Sequence, residues 1–386
     1  MDTTTTTVCN PFDLPELRFQ LSRFLAPKDV LSCALVSKAW TYEFVSAIWR
    51  KVDLSVHPRF AELPTNVITK QGHHIRVVNN ARALEEDSAL AYSNINKLGF
   101  LHIETAGSTW QYMRAYEIIA RNITSLHALD VSAMYISPNK LRFSNYRVST
   151  WAFATSSSAL QARPSSILET LDLRNLWLTY DDLATILEAS PRLSKLRLIH
   201  TDVVGTSTRF FQHPGVTLLS TSLNSIFPDI PTSLPSLLSF FPNLTTLHTW
   251  HQDSSAMAPS ARIKKDFERY CRLLKQFKLE ESSDDIIVEF FTNIVSNVTR
   301  ITFQESRMTP ETVAAIVLHQ ASMEKVAQFY PHRFDYEKEE VPQLRDNKVV
   351  SGEMMQDIPR RCSQLQRLNL HQHEMDMDIV ELGEWV

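Results

Sequence analysis

Residues 168–198 read LETLDLRNLWLTYDDLATILEASPRLSKLRL, and this stretch is the most informative part of the chain. A leucine pattern, L-x-x-L-x-L, begins at Leu168 and begins again 25 residues later, at Leu193. Alternating leucines over so short a run are typical of a strand with one covered face. A threonine suited to cap a helix then precedes apolar residues with helical spacing: Thr179, followed by Leu183, Ile186 and Leu187. The stretch therefore predicts strand–helix units that bury their apolar faces by stacking on one another.

The same pattern recurs along the rest of the chain. Copies with identical or similar residues begin at Leu98, Leu126, Leu274, Val298 and Leu365, and weaker copies begin at Leu218, Leu244 and Met323. Two segments that lie 130 residues apart also superpose, with Leu171 on Ile301, Thr179 on Thr309 and Leu193 on Met323. Because the helix caps align together with the apolar positions, the overlay indicates internal repetition.

This pattern resembles that of leucine-rich-repeat proteins. The resemblance implies parallel strands on the inner side of an array and helices on the outer side. Side chains between the leucines are then expected to face solvent on the strand side, and the candidates for binding a protein target are Glu169, Asp172, Arg174, Lys195 and Arg197. The Asn or Cys that usually follows the strand in this family is replaced by Leu176, Thr201 and Ser306, so we expect no asparagine ladder.

The first fifty residues carry a separate, helical signal. The first apolar series has helical spacing and comprises Leu14, Leu17, Leu21, Phe24 and Leu25. A second helix, beginning near Lys28, is expected to bury Val30, Leu31, Ala34 and Leu35. A third helix presents Trp40, Phe44 and Ile48. Three helices this short bury too little surface to be secure alone, which favours docking onto a partner or onto the rest of the chain.

Four segments of this helical region, in order, resemble the F-box family. Residues 12–17 (FDLPEL) resemble its Leu-Pro opening, and residues 27–31 (PKDVL) resemble the turn into its second helix. Residues 34–40 (ALVSKAW) resemble its Val-Ser-Lys-x-Trp core, and residues 48–52 (IWRKV) resemble its Leu-Trp ending. Together with the repeats, the chain resembles fungal-type F-box proteins with a C-terminal leucine-rich-repeat-like domain. The fold class expected from the resemblance is α/β: a three-helix F-box followed by an irregular leucine-rich-repeat solenoid.

The resemblance implies that the helical module binds a Skp-type adaptor and, through it, a cullin-RING ubiquitin ligase. The adaptor-binding residues carried over by position are Leu14, Pro15, Leu17, Leu21, Leu35, Val36, Lys38 and Trp40. The repeats would then bind an unknown protein substrate, and the chain itself would not be an enzyme. A second reading is an interaction scaffold that binds the adaptor without delivering substrates. A third reading, a hydrolase or metalloenzyme, is disfavoured by the missing motifs.

The expected domain organisation follows from these two signals. We expect a disordered tail over residues 1–10, an F-box over 11–52, a transition over 53–97 and a repeat array over 98–386. Within the transition, residues 51–54 and 74–78 look like early strands. Polar insertions are expected near residues 139–163 and 335–353, where the repeat step lengthens to 42 residues. The acidic C-terminal stretch is read either as a solvated cap or as a partner-binding tail.

Composition argues against several other classes of protein. Glycine occurs only 7 times, and the chain contains neither of two glycine-rich phosphate-binding motifs, G-x-x-x-x-G-K-[ST] and G-x-G-x-x-G. Its four cysteines are far apart and form no C-x-x-C pair, which argues against a zinc knuckle or a disulfide scaffold. The net charge of −4 gives no reason to expect nucleic-acid binding. We expect no cofactor, no membrane span and a cytoplasmic or nuclear location.

Four residue pairs are candidate sites for chemistry. His371 and His373 would share one face of a strand and form half of a metal site, but the rest of the ligand set is missing. His73-His74 has even less support as a metal site. The carboxylate pairs Asp181-Asp182 and Glu280-Glu281 are expected at helix starts, where negative charge is favoured without catalysis.

Overall fold

The computed structural model divides the chain into two compact units, residues 1–171 and residues 172–386. The residues that the structure describes are 11–60, 62–80, 95, 97–105, 118–119, 121–133, 166–204, 211–222, 237–250, 267, 269–280, 298–304, 314, 325–329 and 367–370. The predicted tail, both predicted insertions and the acidic C-terminal stretch lie outside these ranges, as do His371 and His373.

The first unit begins with three α-helices: α1 (Pro15–Ser22), α2 (Pro27–Ala34) and α3 (Lys38–Arg50). A short 3-10 helix, Pro11–Asp13, precedes them. Prolines stand in the first turns of α1 and α2, where the missing N–H has no intrahelical acceptor to lose. Helix α3 is capped by Ser37, whose hydroxyl accepts a hydrogen bond from the backbone N–H of Trp40. The three helices of the F-box prediction are present, although α1 ends three residues before Leu25.

Helix α3 provides the core of this helical module. Val30, Ala34 and Phe44 are buried together, with Leu21, Leu25 and Trp40 packed against them. The expectation that α2 also buries Leu31 and Leu35 is wrong, because both side chains are exposed. The physical reason is that α2 packs mainly on α3, so only the face that carries Val30 and Ala34 is covered. Leu31 and Leu35 directly follow Val30 and Ala34 in sequence and lie on the adjacent face of the helix.

Four parallel strands complete the described part of the first unit: β1 (Lys51–Asp53), β2 (Val77–Asn79), β3 (Phe100–Thr105) and β4 (Ala128–Ala133). Helix α4 (Thr65–Gln71) and the 3-10 helices Pro58–Phe60 and Gly72–His74 lie between β1 and β2. The strands pair in chain order, and one register column aligns Val52, Val78, Leu101 and Leu129, all buried. The early strand predicted at residues 51–54 is thus confirmed, whereas the one predicted at residues 74–78 begins later, at Val77, because Gly72–His74 form a 3-10 helix.

The second unit contains a row of paired strands: β5 (Thr170–Arg174), β7 (Lys195–Ile199), β9 (Leu218–Ser222), β10 (Thr246–Trp250), β11 (Gln276–Glu280), β12 (Arg300–Gln304), β13 (Lys325–Phe329) and β14 (Arg367–Leu370). The strands lie in the row in this order. From β7 onward each pair is parallel. A separate pair, β6 (Trp177–Thr179) with β8 (Asp202–Val204), is also parallel. The 3-10 helix Leu237–Phe240 lies before β10.

The helix predicted after the first full repeat is α5 (Tyr180–Ala189). The Thr179 hydroxyl accepts a hydrogen bond from the Asp182 backbone N–H, and the Asp182 carboxylate accepts one from the Thr179 backbone N–H. The two bonds form a complete capping box. The predicted face of Leu183, Ile186 and Leu187 is fully buried. These observations confirm the strand, cap and helix of this repeat, and the architecture is mixed α/β with parallel strands. The equivalent helix after Thr309 lies outside the described residues.

Two local predictions about the repeats are wrong. The weak repeat expected at Leu218 begins at Val216, because the register aligns Leu196 with Leu219 and Leu198 with Thr221. Val216, Leu219 and Thr221 occupy the three template positions of that repeat and are buried. The repeat was assigned to the wrong start because a threonine stands where the template has leucine. Glu280 does not begin a helix, since it is the last residue of β11 and accepts a hydrogen bond from Lys278.

Candidate partner-binding surfaces

The helical module has an unusual distribution of apolar side chains. Among the described residues, eleven large apolar side chains are exposed; nine of these lie between Phe12 and Ile48, and the other two are Val56 and Leu273. Leu35 is 80% exposed and Val36 is 64% exposed. We define the apolar surface of the module as Leu14, Leu17, Leu31, Leu35 and Val36. An exposed apolar surface of this kind is typical of interaction sites.

The structure places the eight predicted adaptor-binding residues in two groups. Six are exposed: Leu14, Pro15, Leu17, Leu35, Val36 and Lys38. The other two, Leu21 and Trp40, are half-buried against the core of the module, and the Trp40 ring stacks on Phe44 at 5.5 Å. Sequence reasoning missed Leu31 and Phe24 as exposed residues, because their helical spacing alone does not show which face of a helix is covered.

Polar groups contribute to the packing of α1 on α3. Arg18 is buried, and its Nη2 lies 3.1 Å from Oε1 of Glu43 in α3. Its Nη1 donates to the carbonyl oxygen of Phe12 at 2.9 Å. Ser22, one turn later, is also buried and donates to the carbonyl of Phe19. The inner face of α1 therefore carries these polar groups beside Leu21, whereas Leu14 and Leu17 lie on its exposed side.

A second surface is formed by the strands of the second unit. We define the strand face as the side chains at alternate positions of β5, β7, β9, β10, β11 and β12, between the buried residues of each strand. Lys195 and Arg197 are exposed on it, as predicted for target-binding residues, and Arg174 is half-buried. Glu169 is exposed too, but it belongs to the first unit, where its Oε1 lies 3.5 Å from Nδ1 of His127.

Asp172 departs from the prediction that it faces solvent, because it is buried. Its carboxylate accepts two hydrogen bonds from Arg174, from Nη2 at 2.7 Å and from Nε at 3.2 Å. Nη1 of Arg197, on the neighbouring strand, lies 3.8 Å from the same carboxylate. Two guanidinium groups thus cover Asp172, so its role is to position Arg174 and Arg197 rather than to contact a partner.

The middle of the strand face is polar but carries little charge. In register with Arg197 lie Ser220, then His248, then Lys278 on successive strands. Nδ1 of His248 lies 3.4 Å from the hydroxyl of Ser220. Burial, together with the charges of Lys278 and Arg197, lowers the pKa of His248 to about 4, against the opposing effect of Glu280. The imidazole is therefore neutral at pH 7.

The turns that follow three of the strands contain a residue with a positive φ angle, and one of these turns is held by hydrogen bonds of the Thr201 side chain. Asn80, Asn175 and His200 each follow the last residue of a strand and have positive φ angles of 53°, 55° and 48°. The Thr201 hydroxyl, in the place of the expected asparagine, donates to the Leu173 carbonyl at 2.9 Å. It also lies 3.4 Å from the Leu176 N–H, which donates to it. Thr201 therefore links two successive repeats, a role that the sequence pattern did not suggest.

No group of three or more His, Cys, Asp or Glu side chains within the described residues is arranged to hold a metal ion. The rings of His73 and His74 are 3.8 Å apart, and burial, with the charges of His73 and Arg76, lowers the pKa of His74. Asp182 serves in the α5 cap. None of the helices in the described ranges has the length and apolarity to span a bilayer.

No protein-family model matches the sequence, and no curated protein is significantly similar to it.

Proposed function

We propose that this chain is the substrate-recognition subunit of an SCF-type ubiquitin ligase, in which the helical module binds a Skp-type adaptor and the repeats, arranged as a solenoid, bind the target. The observation that carries the proposal is the apolar surface of the module. Its exposed residues Leu14, Leu17, Leu35 and Val36 are those that the F-box resemblance assigns to the adaptor. Resemblance of sequence and exposure of side chains are separate properties, and both select these four residues.

Energetics support an external partner for this surface. Burying a leucine side chain is favourable by about 1.5–3 kcal/mol, so an unpartnered patch of five apolar side chains leaves a large potential gain unused. Helix α1 buries the polar side chains of Arg18 and Ser22 at positions where apolar side chains could be buried instead. Such an arrangement makes sense where a second protein covers the leucines.

Binding to a purified Skp-type adaptor tests this proposal. The informative variant is Leu14→Ser/Leu35→Ser, because both side chains are exposed and their loss should leave the fold intact. The matched control is Val56→Ser/Leu273→Ser, which removes two exposed apolar side chains outside the module. We expect calorimetry to show at least a tenfold loss of affinity for the first variant and none for the control. Equal loss in both variants, or no binding by the parent chain, would contradict the proposal.

A second measurement separates a receptor from a scaffold that only binds the adaptor. A receptor predicts that a partner of this chain becomes ubiquitinated in a reconstituted ligase and that its cellular abundance rises when the chain is removed. The Leu14→Ser/Leu35→Ser variant should fail to restore turnover, whereas the Val56→Ser/Leu273→Ser control should restore it. A partner that binds the chain but keeps the same abundance in all cases would favour the scaffold.

A further inference from the structure

The strand face of the second unit is more basic than the chain as a whole. Its cationic residues are Arg174, Lys195, Arg197, Lys278 and Arg300, and its acidic residues are Asp172 and Glu280. That leaves an excess of three positive charges on a chain whose net charge is −4. Charge of one sign concentrated on one face attracts partners of the opposite sign.

Register gives this charge a regular spacing. Arg197 and Lys278 lie in one row across the strands, separated by Ser220 and His248. Three strand spacings of about 4.8 Å put the two backbone positions about 14 Å apart. An extended peptide advances about 3.3 Å per residue, so residues four apart in its sequence are separated by about 13 Å. Acidic residues at such positions match this row.

The groups between the two cations fit an uncharged stretch of peptide. Ser220 is buried, with its hydroxyl 3.4 Å from Nδ1 of His248, and the half-buried His248 imidazole is neutral at pH 7 because its pKa is lowered to about 4. A neutral imidazole forms hydrogen bonds with uncharged donors or acceptors. At the two ends of the row, Asp172 holds Arg197 and Arg174, and Glu280 holds Lys278, so the ordering of these cations costs less when a ligand arrives.

We propose that the strand face binds an extended, acidic segment of a protein, whose carboxylates four residues apart contact Arg197 and Lys278. A protein segment fits better than a nucleic acid. Helical DNA carries a phosphate about every 3.4 Å along each strand, so its charges would meet Glu280 as well as the cations. The proposal names the class of target and rests on the proposed receptor function for its biological role, although the binding itself needs no adaptor.

Fluorescence anisotropy with the full chain tests this inference. The probe is a labelled peptide of about twelve residues with glutamates four apart in a Ser, Thr and Val background, compared with its Gln counterpart. The test variant is Lys195→Glu/Arg197→Glu. The control is Lys275→Glu. Lys275 is exposed, immediately precedes β11 and does not belong to the strand face, which includes Gln276, Lys278 and Glu280 of that strand. Circular dichroism of each variant verifies that the secondary structure is unchanged.

We expect the acidic peptide to bind at least tenfold more tightly than the Gln peptide, and the affinity to fall as salt is raised. The Lys195→Glu/Arg197→Glu variant should lose at least tenfold in affinity, whereas Lys275→Glu should lose much less. Equal binding of the two peptides, equal loss in both variants, or tighter binding of a single-stranded oligonucleotide would overturn the proposal. The double variant should still bind the adaptor, so loss of peptide binding and loss of adaptor binding are distinguishable.

Discussion

Arg18 in α1 and Glu43 in α3 form an ion pair with 3.1 Å between Nη2 and Oε1, and both side chains are largely buried. Removing one partner of such a pair leaves an uncompensated charge inside the module. Arg18→Met should therefore destabilise the helices by about 3–5 kcal/mol, whereas Arg18→Met/Glu43→Met should recover most of the loss. Hydrogen exchange of the α1 and α3 amides measures this. A double variant no better than the single one would contradict a coupled pair.

The exposed apolar surface predicts different effects for two residues five positions apart. Val30→Ala removes buried carbons and should cost about 1–2 kcal/mol of module stability. Leu35→Ser should change stability by less than about 0.5 kcal/mol, because Leu35 is exposed. It should also reduce self-association of the free chain, measured by sedimentation, because it shrinks an exposed apolar patch. Destabilisation of the module by Leu35→Ser would show that this side chain is covered in solution.

The buried side chain of Asn122 connects three backbone groups of the first unit. Its Oδ1 accepts from the Leu98 N–H at 3.0 Å, and its Nδ2 donates to the carbonyls of Ile95 and Ile118 at 2.9 Å. Asn122→Ala should cost about 1–3 kcal/mol for each group left unpaired. Asn122→Asp should be at least as harmful, since an oxygen would replace the amide nitrogen beside two carbonyl oxygens.

Hydrogen exchange of the β3 and β4 amides measures the effect of these Asn122 variants. Thr124→Ala, an exposed threonine in the same turn, is the control and should leave the exchange unchanged. An Asn122→Asp variant as stable as the parent chain would show that the amide group does not donate as described.

The capping box of α5 gives a prediction for the second unit. Thr179→Ala removes the hydroxyl that accepts from the Asp182 N–H and should cost about 1 kcal/mol, or about fivefold faster exchange of the α5 amides. Thr185→Ala, within the same helix, should not destabilise it, because alanine has the higher helix propensity. Equal effects of the two substitutions would argue against the cap.

Asp53 gives a prediction about pH. Hydrogen bonds from the Ser55 hydroxyl, from Asn79 and from nearby backbone N–H groups lower the pKa of Asp53 to about 2, against the opposing effect of burial. Because the folded pKa is below that of the unfolded chain, the ionised carboxylate stabilises the turn after β1 above about pH 4. This contribution is lost as the pH falls towards 2. An NMR titration should show a higher pKa for Asp53 in Ser55→Ala, and an unchanged pKa would exclude the bond as its cause.

Local patterns were enough to predict much of the fold. The leucine template located strands β3, β4, β5, β7 and β11, and Thr179 predicted the start of α5, because alternation and capping depend on near neighbours in sequence. The repeat that begins at Val216 was predicted to begin at Leu218, because Thr221 occupies a buried position that the template assigns to leucine.

The sequence by itself determined that the chain has short helices at its start and regularly spaced strands after them, because both follow from the spacing of apolar residues. Only the tertiary structure decided which apolar residues are left uncovered. Leu31 and Leu35 have the same spacing as Val30 and Ala34, and the difference arises because α3 packs against one face of α2 alone. Likewise, Asp172 is buried only because Arg174 and Arg197, from two strands, meet over its carboxylate.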